Sequence, residues 1–203
     1  ALGHLVTLAD PDVYDKRYEK WDMQDLPMLP QQMKLVVIPE SRKQYQAVAA
    51  LMKRSDVSEL IIATDAGREG ELVARWIMQK AGWKGKTSRL WISSQTDKAI
   101  RDGFANLQPS TRYDSLFQSA QARSEADWLV GLNVTRALTC KYNAQLSAGR
   151  VQTPTLAMIV RREQEIRAFT PREFWGITAN LSGFHATWRD ETGNASIFDR
   201  SKA

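Results

Sequence analysis

A parallel-sheet α/β unit, then an all-α segment, then the start of a β-rich region is the architecture this sequence predicts. Three observations carry it. Between residues 35 and 95 short apolar runs alternate with amphipathic helical stretches, the pattern that yields parallel strands joined by right-handed crossovers. From Thr96 to about Thr170 the apolar spacing is helical throughout. From Trp175 on, Ile177, Ala179 and Leu181 alternate with polar residues, and Ala186 and Trp188 follow Gly183, as in strand and turn.

Taken in order, residues 1–35 read as irregular, because Pro11, Pro27 and Pro30 deny a long helix. Leu35–Ile38 is a short β-rich run ended by Pro39. Ser41 is placed to cap a helix over about 42–54, with Tyr45, Val48, Leu51 and Met52 at helical spacing. Leu60–Thr64 is continuously apolar, as in a strand buried on both faces. A helix from about 68 to 81 ends at Gly82, which can take the left-handed cap conformation. Arg89–Ser93 is a further strand. Thr96 or Asp97 caps a helix over about 97–105, and others cover about 111–131 and 133–142. After a turn at Ser147–Pro154, a helix over about 153–168 has Leu156, Ile159, Val160 and Ile166 spaced for burial, and Pro171 closes it.

Composition narrows the classes. The 203 residues are 43% hydrophobic and 25% charged, ordinary for a soluble protein with a real core. No apolar run approaches the ~20 residues of a membrane span, and the start lacks a signal-peptide pattern. The single cysteine, Cys140, cannot form an internal disulfide and reads as a small buried residue on a helix. The net charge of +5 is modest, but residues 112–175 hold nine cations against six anions, and eight of the nine are arginine. A guanidinium fork suits phosphate oxygens, while helix faces with i,i+4 pairs would also account for several of these arginines. The chain opens on Ala1 and ends after TGNASIFDRSKA, where new strand-like material has just begun, so a piece of a larger protein is expected.

The chemistry concentrates in LIIATDAGREGELVARWI, residues 60–77. Asp65 and Glu69 fall at the carboxyl end of a strand and the start of a helix, where ligands collect in open α/β sheets. Two close carboxylates with Arg68 between them suit Mg²⁺, a hard cation content with one or two protein oxygens. Equally, both carboxylates could simply complement the helix N-terminus, at roughly 0.3–1 kcal/mol each. Glu71 and Arg75 form an i,i+4 pair and read as surface; Arg123 and Asp127 are likewise i,i+4 on the long helix, where a simple salt bridge would account for them. Ala148-Gly149 gives a flexible turn before Gln152 and Thr153, at a helix start where free N–H groups favour phosphate. Trp21, Trp76, Trp91, Trp128 and Trp175 read as core. His4 and His185 have no metal-like partner spacing.

A resemblance adds to this. TDAGREGE, the run AQARSEADWLVGLNVTRALT at 120–139 and SAGRVQTPTLAMIVRREQEIRAFTPREFW at 147–175 resemble the type IA DNA topoisomerases, in particular the bacterial topoisomerase III branch. ALGHL and PDVYDKRYEKWDMQDLPMLP look like the same family. The resemblance implies a TOPRIM domain lacking its first strand over 1–95, a helical DNA-binding domain (domain IV) over 96–174, and the start of β-rich domain II over 175–203. It implies a Mg²⁺-dependent, ATP-independent enzyme that breaks and rejoins one DNA strand, with DNA, preferentially single-stranded, and the enzyme's remaining domains as partners. No membrane role follows, and the location implied is cytoplasmic and nucleoid-associated. In this reading Arg68 and Glu69 are catalytic, Asp65 and Glu69 hold metal, and Arg123, Asp127, Arg136, Arg150, Gln152 and Thr153 bind DNA.

Two departures matter. The family's Asp-x-Asp-x-Glu run reads here Asp65-Ala66-Gly67-Arg68-Glu69, so Gly67 replaces the second Asp, and a sharp turn or a close phosphate approach would explain a glycine there. The family cuts DNA with a tyrosine in a YPRT-like motif, and Tyr14, Tyr18, Tyr45, Tyr113 and Tyr142 all lack that context. A TOPRIM nuclease or primase would share the Asp65–Glu69 turn but not Gly149–Leu156. A non-catalytic DNA-binding module would leave the carboxylates unexplained.

Overall fold

In the computed structural model, which describes residues 3–202, packing divides the chain into two compact units, Ala1–Thr153 and Pro154–Ala203. In the first, strand β1 (Val6–Leu8) pairs antiparallel with β2 (Leu35–Val37), Val6 facing Val37 and Leu8 facing Leu35. Three short 3₁₀ turns lie in the intervening loop. Helix α1 (Arg42–Met52) leads to β3 (Glu59–Ile62), then α2 (Arg68–Ala81), then β4 (Lys86–Arg89). β3 and β4 are parallel, with Glu59 opposite Lys86 and Ile62 opposite Arg89. Helix α3 (Asp97–Ala105) follows, and β5 (Gln108–Pro109) pairs antiparallel with β4. Helix α4 (Asp114–Tyr142) runs 29 residues.

The order of elements follows the expectation; the sheet does not. Leu35–Val37 joins β1 rather than the parallel sheet, because Val6–Leu8 supplies a partner in a stretch read as irregular. The strand after α2 lies three residues early, at Lys86–Arg89, so Trp91 and Ile92 fall beyond it. The two helices expected at 111–131 and 133–142 are one. Gly131 costs only about 1 kcal/mol in a helix interior, and packing along α4 outweighs that. Ser41 precedes α1, but its hydroxyl donates to the His4 carbonyl instead of capping the helix. Thr96 does cap α3, accepting from the Ala99 N–H, and Gly82 ends α2 in the left-handed conformation, as anticipated.

The core lies where α2 meets β1 and α4. Leu5, Val6, Leu8, Leu72, Trp76, Ile77 and Ala120 are buried together, with Tyr45, Val48, Met52 and Trp128 against them. α4 also pins the loop after β1. The Trp128 indole N–H donates to the Ala9 carbonyl, and the Asn133 amide brackets the Met28 N–H and C=O. Trp21 and Trp91, expected in the core, are exposed; Trp91 stacks on Tyr113 at 4.6 Å. Cys140 is half-buried rather than buried.

At the centre are charges. Glu71 and Arg89 are both fully buried and paired, and Glu71 also holds Arg75 at 3.2 Å. Arg75 reaches on to the Asp114 carboxylate at 2.9 Å and donates to the Ser110 carbonyl. The i,i+4 pairing of Glu71 with Arg75 is as expected, but it lies inside, where α2 meets the start of α4, and not on the surface.

The second unit, described by itself, holds most of α5 (Gln152–Ala168), the hairpin β6 (Thr178–Leu181) with β7 (Phe184–Thr187), and a bridge between Trp175 and Ile197. Leu156, Ile159, Val160 and Ile166 are exposed, not buried as their spacing suggested.

Removing one partner of a buried ion pair leaves the other uncompensated, at about 3–5 kcal/mol. Glu71→Ala should therefore lower the unfolding free energy of the chain by about that amount in urea titrations, whereas Glu163→Ala on the exposed face of α5 should leave it unchanged.

Candidate metal turn and nucleic-acid interface

β3 ends at Ile62, and three residues later the chain turns through Asp65 into α2. Backbone bonds shape the turn: the Gly67 N–H donates to the Asp65 carbonyl at 2.9 Å, and the Glu71 N–H to the Gly67 carbonyl. The Thr64 hydroxyl donates to the Gly70 carbonyl at 2.7 Å. A Cβ on Gly70 would lie 2.0 Å from the Asp65 carbonyl oxygen, so only glycine lets α2 approach this closely. Gly67 is different. Its φ of −179° is extended, and a Cβ there would meet nothing within 4 Å, so the turn does not require a glycine at that position. The expectation that Gly67 serves a sharp turn is corrected accordingly.

Asp65, Arg68 and Glu69 are exposed at this strand end, and Asp65 and Glu69 line one cavity of about 700 Å³. The cavity runs along the outer edge of β3, which among the described residues has no strand partner on that side, between α1 and α2. His4 lines it too, its Nε2 3.8 Å from a Glu69 oxygen, a neighbour that sequence spacing did not reveal. Among the described residues no group of three His, Cys, Asp or Glu side chains is arranged to hold an ion. Two exposed carboxylates on one cavity wall fit a hydrated cation that takes its remaining oxygens from water or phosphate.

The second group gathers on α4. The Arg150 guanidinium is 2.9 Å from an Asp127 oxygen and Arg123 is 3.8 Å from the other, all three side chains being nearly half exposed. Arg123 and Asp127 are one turn apart on α4, while Arg150 arrives from the following loop. That loop is laid along α4 by two threonines one turn apart. The Thr135 hydroxyl bonds the N–H and C=O of Ala148, and the Thr139 hydroxyl does the same for Leu146. Gln152 and Thr153 begin α5, exposed. The Thr153 hydroxyl accepts from the Gly149 N–H and the Thr153 N–H donates to the Gly149 carbonyl, so one amide expected to be free is used within the turn.

Arg136 is a correction. It is only 6% exposed, donates to the Tyr18 carbonyl and lies over the Trp21 ring at 5.1 Å. Burial pushes its pKa down. It braces the loop after β1 and is not beside Arg123 and Arg150. Conversely, sequence reasoning passed over Thr135, Thr139 and Arg89. A charged residue flanking the apolar Leu90-Trp91-Ile92 was the available signal for Arg89.

Residues 1–94 of the chain match the Toprim domain and residues 111–203 match the DNA topoisomerase family. The chain is 58% identical over its 203 residues to DNA topoisomerase 3 of Bacillus thuringiensis (strain Al Hakam), covering 100% of this chain and 28% of that protein. It is likewise 58% identical over 191 residues to DNA topoisomerase 3 of Bacillus subtilis (strain 168), covering 94% of this chain and 26% of that protein. Full-length topoisomerase I from Thermotoga maritima superimposes with a TM-score of 0.68 at 26% identity, over 99% of this chain and 32% of that one. The chain thus spans about 28% of the length of the first of these relatives.

Because a side chain at position 67 meets open space, Gly67→Asp should fold as the parent does and add a third carboxylate. Its Mg²⁺ affinity by titration calorimetry should rise on the order of tenfold, since ligand charge count tunes such sites. Gly70→Ala should instead destabilise the chain, its methyl colliding with the Asp65 carbonyl.

Proposed function

We propose that this chain is the part of a bacterial type IA topoisomerase that binds Mg²⁺ and grips single-stranded DNA while the whole enzyme breaks and rejoins one strand. The observation that carries the reading is the meeting of Arg123, Asp127 and Arg150, from two segments, on one exposed face of α4. A carboxylate between two guanidiniums holds both forks ready, and a phosphate can compete for either one. Arg123 and Arg150 bind backbone phosphate, Asp127 orients them, and Gln152 and Thr153 offer further donors at the head of α5. The basic, arginine-rich composition of 112–175 agrees with this. No helix is long and apolar enough to cross a membrane among the described residues.

At the other site, Asp65 and Glu69 hold the ion, Arg68 meets the phosphate, and Glu69 keeps its place near His4. The bound Mg²⁺ would neutralise and orient the scissile phosphate, chiefly for rejoining. The enzyme would relax negative supercoils or decatenate DNA without ATP, in the cytoplasm beside the nucleoid. The domain division at 95 and 174 belongs to the same reading. The bare outer edge of β3 along an apolar cavity supports a TOPRIM sheet that a further strand completes, bringing another carboxylate toward Asp65. The nucleophilic tyrosine lies in the enzyme's other domains. Among the described residues, no tyrosine lines the cavity that Asp65 and Glu69 share.

Two measurements follow. Incubated with a labelled oligonucleotide and Mg²⁺, the 203-residue chain should form no denaturation-resistant adduct; an adduct would assign the nucleophile to one of its own five tyrosines. In binding titrations the chain should prefer single-stranded to duplex DNA, and Arg150→Ala should weaken binding and flatten the log–log salt slope by about 0.7. Gln152→Ala should weaken binding with little change in slope, and Arg54→Ala, on an exposed pair with Asp56, should change neither. Equal losses from Arg54→Ala and Arg150→Ala would replace the groove by diffuse electrostatics.

A further inference from the structure

We propose that Arg89 is a positioning residue for the metal turn: its buried guanidinium holds the backbone at the end of β3 so that the Asp65 carboxylate faces the cavity. Arg89 is fully buried, yet only part of its hydrogen-bonding capacity goes to Glu71. One terminal nitrogen donates to the carbonyls of Ile62 at 3.1 Å, Thr64 at 2.7 Å and Leu90 at 2.7 Å. The other donates to the carbonyl of Asp65. Three of these four carbonyls belong to the stretch where β3 leaves the sheet and its backbone loses ladder partners.

Buried carbonyls must be satisfied, and a planar fork with five N–H groups satisfies several at once in fixed directions. Holding the Asp65 carbonyl from below fixes the peptide plane and therefore the direction of the Asp65 side chain. Gly70 closes over the same carbonyl, and the Gly67 N–H donates to it. Glu71 plays a separate part, neutralising Arg89 and sharing its charge with Arg75. The two members of the pair are thus distinguishable, Glu71 acting on charge and Arg89 on backbone shape. A lysine could satisfy Glu71 but, as a point donor, could not reach all four carbonyls.

The proposal rests on the reading of Asp65 and Glu69 as metal ligands, so two readouts are needed. The first is Mn²⁺ titration of the chain, followed by paramagnetic broadening of the Asp65 and Glu69 amides. The second, independent of metal, is hydrogen exchange at the Gly67 amide. Arg89→Lys should weaken Mn²⁺ binding on the order of 10–100-fold, as outer-shell losses do, and deprotect Gly67. Glu71→Gln, which keeps the fork on the carbonyls, should lose stability but retain both Mn²⁺ binding and Gly67 protection. If Arg89→Lys does not fold, the apolar double variant Glu71→Leu with Arg89→Met replaces it, with the same expected losses. Parental Mn²⁺ binding and Gly67 protection in the folded Arg89 variant would overturn the proposal. So would parallel losses in Arg89→Lys and Glu71→Gln, which would make Arg89 merely half of a structural pair. A parent chain that broadens neither amide would sink the metal reading alone, and Gly67 exchange would then decide the role of Arg89.

Discussion

The buried Glu71–Arg89 pair is the constraint on which the first unit depends. Two opposite charges with no exposed surface are tolerable only if every remaining donor and acceptor is met, and here four backbone carbonyls and Arg75 meet them. That requirement dictates much around it. β4 must end at Arg89, α2 must turn Glu71 inward, and β3 must deliver its last carbonyls to the same point. The acidic turn is the outer surface of this polar knot, so the site's geometry is inherited from the core.

Through Arg75 the knot extends to Asp114, the first residue of α4. One end of α4 is therefore tied to the α/β part by charge, while its middle is packed on α2 and on the loop after β1. Its far half carries Thr135 and Thr139, which lay the 146–149 loop so that Arg150 meets Asp127. A single uninterrupted helix thus relates the acidic turn to the arginine cluster. Two shorter helices with a hinge at Gly131 would have left that relation loose.

This explains why arginines of similar appearance in sequence have different fates. Arg75, Arg89 and Arg136 are interior or nearly so, each meeting backbone carbonyls or carboxylates, while Arg123 and Arg150 stay half in solvent around one carboxylate. Burial decides which guanidinium can still meet a ligand, and burial depends on partners distant in the chain, such as Tyr18 for Arg136.

Local chemistry was readable from the sequence. The α2 helix with its glycine cap, the Thr96 cap, the span of α3, the acidic turn and the family motifs all depend on neighbours within a few residues, and they lie where the sequence placed them. Pairings at long range were not readable. That Val6–Leu8 would claim Leu35–Val37, that α4 would run through Gly131, and that Glu71 and Arg75 would face inward depend on which surfaces meet after folding. So does the fate of Arg136. An i,i+4 charge pair looks the same in sequence on either face of a helix, and only the residues packed over it determine whether it is solvated or part of the core.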